Sequence, residues 1–462
     1  MRFQFPAALT LALALATAAH AAPPAVSAWG VPAVSEDMLA ADYWIRRAPS
    51  PTATLRSSAQ LAAQRRAAYA PGGGFIDLAA LPATLTREQI AEWLRQAEQS
   101  PIKVVVDIKG RQVTPAQLQA LRSSTAADAV AATPTRYGLS VRRTPMRTLP
   151  TDLQFFAGVD QGDYESLTAG VLFPGEPVVI AHRSADGEWL LVMTTQGPAW
   201  VKATNIAEGQ PRAVFSFAAQ APGRVVTGDQ VRTVSTPDAP DVSELDLDMG
   251  VALPGADYWP GEPVNGASSV ASWVVKLPVR LPDGSLAFRS ALVRRTADTS
   301  PGYLPLTRAN ILRQAFKFLG ERYGWGHQFN ARDCSGLTSE VYRSMGLLLQ
   351  HNSGLQGSST ALHHRTFTAQ DTHAERVRAL RQAEVGDLVV VPGHVLMIIG
   401  HVNGEPYVIQ DVPYAVFKDP ATGQLRRTKL NQVSVTPLLP LFADDKTLYV
   451  DAMTSLVQVT RQ

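Results

Sequence analysis

One cysteine and one histidine carry most of the chemistry available to this sequence. Cys334 is the single cysteine among 462 residues. It lies in Tyr323 to Met345, which reads Y-G-W-G-H-Q-F-N-A-R-D-C-S-G-L-T-S-E-V-Y-R-S-M. Gly324, Gly326 and the polar run His327 to Asp333 mark a loop. Leu337, Val341 and Met345 then recur on one helical face. Asp333 is the expected N-cap, which places Cys334 in the first helical turn. Backbone N–H groups and the helix dipole favour an anion there, so the thiol is expected to ionise well below its usual value, in a range of roughly 3.5–7.5.

A thiolate nucleophile needs a base within hydrogen-bond reach, and the base needs a third group to fix its tautomer. Of nine histidines, His394 differs from the rest. It opens the apolar run His394 to Gly400 directly after the Pro392-Gly393 break, where a strand end can face a cleft. His363-His364 and His373 lie in polar stretches without ligand spacing. No metal site and no cofactor is expected.

The elements that must position these two residues follow from the pattern. Thr307 to Leu319 reads as a helix ending at Gly320. Leu388 to Val391 is a buried strand, His394 to Gly400 a second, and Tyr407 to Asp411 a third that returns after the Asn403-Gly404 turn. A helix bearing the cysteine against an antiparallel sheet bearing the histidine is an α+β arrangement, expected over 304–462.

Upstream, strands recur with Gly and Pro punctuation. Glu176 to Ala181, Trp189 to Met193 and Ala199 to Val201 predict a small barrel over 133–210. Ser272 to Leu277, Val279 to Leu281 and Leu286 to Val293, around Pro282-Asp283-Gly284, predict a second β module over 211–303. Trp189 and Trp200 are either core residues or binding platforms. Residues 22–132 carry capping pairs at Thr86/Gln89 and Thr114/Gln117 and read as a helical clamp.

Arg2, the apolar run Ala7 to Ala16, and Ala19-His20-Ala21 have the form of an export leader over 1–21. Export implies a periplasmic or secreted protein, where an unpaired thiol is a liability unless buried or used. A formal net charge of +2 gives no reason to expect a nucleic-acid partner. No apolar run is long enough for a membrane anchor, and a monomer is expected.

The motifs Y-G-W-G…R-D-C-S-G and G-D-L-V-V-V-P-G-H-V-L-M-I-I-G resemble those of the NlpC-type papain-like bacterial cell-wall peptidases. The β modules are similar to bacterial SH3-like barrels. The resemblance implies Cys334 as nucleophile, His394 as base and a polar third residue on the next strand. Histidine commonly stands there in the family. Here the position falls on Gln410, with Asp411 the alternative if the register shifts. The resemblance further implies an oxyanion site from the Cys334 N–H and the Tyr323 hydroxyl. Asp333, Ser335, Ser353 and Trp325 match substrate-binding positions. The implied activity is a cysteine endopeptidase acting on peptidoglycan or muropeptides, at the bond between γ-D-glutamate and meso-diaminopimelate. Two other readings remain: a cell-wall-binding protein without catalysis, and a papain-like amidase or acyltransferase acting at another bond.

Overall fold

The computed structural model describes residues 30–98, 106–158 and 162–461. The expected leader, 1–21, lies outside the described residues, as does the start of the valine-rich run that begins at Lys103. Its described end, Val106–Asp107, pairs with Phe155–Phe156.

The N-terminal clamp divides its apolar surface between two partners. Helix α1 (Ser58–Ala68) is closed at its start by a capping box of Ser57 and Gln60. With the preceding segment it places Val31, Val34, Met38, Tyr43, Trp44 and Leu61 in the C-terminal core. Trp44 packs so closely beneath the sheet that a Cβ on Gly400 would sit 2.9 Å from its ring. Helix α2 (Arg87–Ala97) has the Thr86/Gln89 capping box that its sequence predicts. It buries Ile90, Trp93 and Ala97 in a different core, with Tyr137, Trp189 and Trp200.

That second core belongs to the first barrel. Its strands are β1 (Arg136–Ser140), β2 (Thr144–Arg147), β3 (Thr168–Leu172), β4 (Pro177–Arg183), β5 (Trp189–Thr194), β6 (Gly197–Lys202) and β7 (Ile206–Gly209). They form one sheet in the order β7-β1-β4-β5-β6-β2-β3. Trp189 and Trp200 are buried inside, so they are core residues and not exposed platforms.

The next module, where the resemblance implies a second SH3-like barrel, is built from several small sheets. Its long hairpin, β8 (Ser272–Arg280) and β9 (Leu286–Arg294), stands as its own two-stranded sheet. The shorter strands form a separate three-stranded sheet and a two-stranded one. One apolar core, including Val226, Leu253, Val275, Leu277 and Val293, joins them. Packing holds this module together where a continuous ladder does not.

The C-terminal unit sets helices α3 (Arg308–Phe316), α4 (Cys334–Arg343), α5 (Ser353–Ser358) and α6 (His373–Arg381) around an antiparallel sheet. The sheet runs β10-β16-β11-β12-β13-β14, from β10 (His364–Thr366), β11 (Leu388–Val391), β12 (His394–Val402), β13 (Glu405–Lys418), β14 (Leu425–Pro437) and β16 (Ser455–Val457), with β15 (Leu441–Phe442) beside β13. Asn403 and Gly404 both take positive φ, 52° and 79°, the geometry of a two-residue hairpin turn. The expected α+β arrangement is present. No helix among the described residues is long and apolar enough to cross a membrane.

Candidate active site

Cys334 is the first residue of α4, and Asp333 caps it. One Asp333 oxygen accepts from the Gly336 N–H at 2.8 Å and the Ser335 hydroxyl at 2.9 Å, while the other accepts from the Gly326 N–H at 3.0 Å. The same carboxylate therefore starts the helix and fastens the loop that leads into it. Within that loop His327, Phe329 and Asn330 all have positive φ, a conformation that costs side-chain-bearing residues free energy and persists only under external bracing. The bracing comes from both β modules. Arg143 of the first barrel donates to the carbonyls of His327 and Ala331, and Gln230 of the second module bonds Asn330.

A buried charge network underlies the same turn. Arg332, 1% exposed, donates to Glu340 at 3.0 Å, to Glu321 at 2.8 Å and to the Asp229 carbonyl at 2.6 Å. His327 meets the other Glu340 oxygen at 3.0 Å. Burial holds that imidazole near a pKa of about 3, so it is neutral at pH 7 and donates. The glycine of D-C-S-G has a steric reason here: a Cβ on Gly336 would lie 2.7 Å from the His327 ring.

His394 opens β12 at the groove. Its Nε2 lies 2.8 Å from Gln410 Oε1, and the Gln410 amide donates in turn to the Thr436 hydroxyl at 2.7 Å. Thr436 thus turns the amide oxygen toward the imidazole. That oxygen only accepts, so His394 carries its proton on Nε2 and keeps a free lone pair on Nδ1. The Tyr449 ring stacks on the imidazole, centroids 5.9 Å apart. Burial lowers the His394 pKa to about 4, with the Gln410 hydrogen bond pulling it back up. Asp411 makes no hydrogen bond to His394.

The sulfur and the imidazole share one neighbourhood. The backbone N–H of Val395, the residue after His394, bonds the Cys334 thiol. The thiol's ionisation, however, runs opposite to the sequence expectation. Cys334 is 5% exposed, and burial pushes its pKa up, with the Asp333 and Asp411 carboxyls adding to the rise. The N–H groups of Val395 and Ser335 oppose it without prevailing. A helix N-terminus stabilises an anion within its first turn, but desolvation beside two acids outweighs that effect. At rest the pair is a neutral thiol beside a neutral imidazole.

Tyr323 is buried next to this pair. Its ring meets Tyr164 of the first barrel edge-on at 5.7 Å, and Tyr164 meets Trp325 at 5.4 Å. A cavity of about 210 Å³ opens from Tyr164, Tyr323 and His394 along Asp411, Tyr414 and Arg427. Of the expected substrate-binding residues, Trp325 lies against Tyr164 at the barrel junction. Asp333 and Ser335 are buried and bonded to each other. Ser353 begins α5 and does not line this cavity. Tyr164 and Tyr449 were not legible as site residues, because neither belongs to a local motif and each arrives only through packing.

Comparison with known proteins follows the same division. Residues 320–411 match the NlpC/P60 family, and residues 155–202 match an SH3 domain of the SH3b1 type. A solved structure described as a novel NlpC/P60 endopeptidase from Photobacterium damselae subsp. piscicida superimposes with a TM-score of 0.68 at 14% identity, covering 88% of this chain and 94% of that one. At that identity the likeness is one of fold. An NlpC/P60 family protein from Bacillus cereus ATCC 10987 matches at 16% identity over 64% of this chain and 83% of that one, with a TM-score of 0.40. NlpC2 from Trichomonas vaginalis matches at 13% identity over 66% and 96%, with a TM-score of 0.22. None of the curated proteins matches the chain.

Proposed function

We propose that this chain, whose NlpC/P60 domain indicates a cysteine peptidase of the cell-wall hydrolase kind, is an exported endopeptidase. It cuts murein stem peptides between γ-D-glutamate and meso-diaminopimelate. The bond and the export come from the motif resemblance and the leader-like start. The observation that supports the catalytic reading is that the Cys334 thiol neighbours the backbone at the head of the strand carrying His394. A thiol at a helix start accepts the N–H of Val395, while the adjoining His394 is oriented by Gln410 and Thr436.

The reaction begins from the neutral pair. As the Cys334 sulfur bonds to the amide carbon, its proton passes to His394 Nδ1. The negative charge moves to the former carbonyl oxygen, which the Cys334 N–H and the Tyr323 hydroxyl receive. As the first residue of α4, Cys334 has an N–H without an intrahelical acceptor. Collapse breaks the C–N bond, and the imidazolium returns its proton to the leaving amine. Water, deprotonated by His394, then hydrolyses the thioester. Gln410 contributes orientation without a carboxylate's charge, consistent with an imidazole whose proton affinity is low at rest. The SH3b domain is read as a peptidoglycan-binding module.

The test is digestion of purified sacculi, with the new termini identified by mass spectrometry. New D-glutamyl γ-carboxyl and diaminopimelyl amino termini support the reading. Cleavage at lactyl-L-alanine instead would make the protein an amidase. The low exposure of Cys334 favours one second reading, a wall-binding protein without turnover. Sacculi separate the two, because a wall-binding protein without turnover sediments with them and releases no new termini.

A further inference from the structure

We propose that the seam between the first barrel and the module after it holds a binding site of its own, for a carboxylate carried on a short aliphatic stem. The site shares no residue with the groove at Cys334 and does not depend on the peptidase reading. The turn between β8 and β9 makes the seam. The Gly284 carbonyl accepts from the Glu208 N–H at 3.0 Å, and Ser285 forms a parallel bridge with Glu208. These bonds lay the end of the hairpin against β7, an edge strand of the barrel sheet. Beside the contact lies a cavity of about 280 Å³. At a share of about 30 Å³ for each water-sized group, it has room for a small organic acid.

The floor of this cavity is barrel core. Ile180, Leu190 and Ile206 line it, and all three belong to one apolar cluster with Val178, Val192 and Val201. Four charged residues stand around that floor: Arg183, Glu208, Arg280 and Asp283. An apolar floor with a few convergent polar groups is the usual composition of a small-molecule site.

The acids and the cations of this rim are held differently. Glu208 pairs at 3.1 Å with Arg136, which does not line the cavity. One Asp283 oxygen accepts from the Ser285 N–H at 3.0 Å and from its hydroxyl at 2.7 Å. Those hydrogen bonds, and lastly the charge of Arg280, hold the Asp283 carboxyl below the usual carboxylate range. Both acids are therefore already engaged by the fold. Arg183 donates to the Gly187 carbonyl at 2.8 Å and pairs with no acid among the described residues. Arg280 makes no hydrogen bond and no ion pair among them, and its Nε is buried without an acceptor. A buried donor left unpaired costs free energy.

With Glu208 matched by Arg136, two guanidinium groups face one carboxylate across the cavity. The site therefore has room for one more negative charge. Guanidinium forks bond the oxygens of a carboxylate in plane, and the apolar floor takes the stem behind it. An ammonium-bearing ligand would meet the same two cations and be repelled. Glycine at 284 keeps the arrangement open, since a Cβ there would lie 3.0 Å from Arg280 Nη2, on a backbone with φ of 92°.

Two sources can supply this chemistry, the C-terminal residue of a peptide and a free short-chain acid. The experiment titrates the full-length protein, followed by ligand-observed NMR, with N-acetyl-alanyl-alanine and with butyrate. Each acid is compared with its carboxamide, and butyrate with acetate. Loss of hydrogen bonds to a charged group predicts that the amides bind at least about tenfold more weakly. Arg280→Gln should weaken acid binding by about 10- to 100-fold while changing the amides by less than about threefold. Arg183→Gln, at the exposed side, should cost the acids a few-fold. Acetate, which lacks the stem, should bind a few-fold more weakly than butyrate.

Peptide binding without butyrate binding supports the site and identifies a chain end as its occupant. Comparable binding of the two supports it as a site for free acids. Acids and amides that bind alike, acetate that binds as tightly as butyrate, or binding untouched by both arginine changes overturns the proposal. So does the absence of saturable binding by either acid. If Arg280→Gln does not fold, Arg183→Gln and the acid–amide comparison in the parent decide the matter. Cleavage of sacculi enters none of these measurements, so failure of the peptidase reading leaves their outcome intact.

Discussion

Asp333 on the helix wall and Asp411 on the strand wall both raise the pKa of Cys334, yet the protein holds them in opposite ways. Asp333 accepts from Gly336, Ser335 and Gly326, so the fold consumes nearly all its hydrogen-bonding capacity. Asp411 is as deeply placed and accepts nothing among the described residues. The helix wall is thus tied into the fold, while the strand wall carries an acid without a hydrogen-bond partner among the described residues. Asp333 and Ser335, expected from the resemblance to touch substrate, are occupied with each other, whereas the unoccupied acid is one considered only as an alternative third catalytic residue.

The largest effect expected on this comparison comes from removing the nucleophile that both acids face. Cys334→Ala should lower turnover of a muropeptide by about 10⁴-fold or more and leave the far-ultraviolet circular dichroism unchanged. Retained turnover would show that neither wall serves a thiol reaction. Tyr323→Phe should cost about 10²–10³ in kcat with KM little altered, the signature of a lost oxyanion donor.

Gln410→Ala should cost about 10²-fold through loss of imidazole orientation. The pH profile sharpens this. The base works unprotonated, so the acid limb of kcat/KM should fall near pH 4, where burial holds His394, and not near 6.5. Since the Gln410 hydrogen bond raises that pKa, the variant's limb should move to still lower pH. A limb near 6.5 in the parent would mean that His394 is solvated in the working enzyme.

The two acids should separate most clearly in stability. Asp333→Ala removes a cap and a loop fastening together and should cost at least about 2 kcal/mol in chemical denaturation. Asp411→Asn should show the opposite trend with pH. An acid whose folded pKa lies above its unfolded value binds more protons in the folded state, so the parent loses stability as pH rises from about 4 toward that folded value. The amide does not titrate. The variant should match the parent near pH 4 and exceed it at pH 8, and a variant equally destabilised at both would remove the contrast. Smallest of all, Tyr164→Ala should raise KM a few-fold by taking away the barrel residue that leans on Tyr323 and Trp325, with kcat nearly unchanged.

Much of this site was legible along the chain because its geometry is local. Asp333 before an apolar helical face predicts the cap, and Pro392-Gly393 before an apolar run predicts where β12 begins and that His394 heads it. Asn403-Gly404 predicts the turn that brings Gln410 back beside it. These depend on backbone dihedrals and short-range periodicity, which neighbouring residues decide. The division of the N-terminal clamp between two cores was not legible, because α1 and α2 carry similar capping signals and only the surfaces they meet tell them apart.

The sequence by itself determined that a thiol would stand at a helix start and an imidazole at a strand end, and which amide would follow on the returning strand. Tertiary structure alone decided the ionisation of the thiol. Desolvation, the largest cause, and the approach of Asp411 are long-range effects that no window around Cys334 contains, and together with the neighbouring Asp333 they reverse the helix-dipole expectation. Tertiary structure also brought Tyr164 from the first barrel onto Tyr323, and left Asp411 buried without a hydrogen-bond partner among the described residues. Burial and unmet hydrogen bonds are properties of the packed chain, set by what each side chain finally touches.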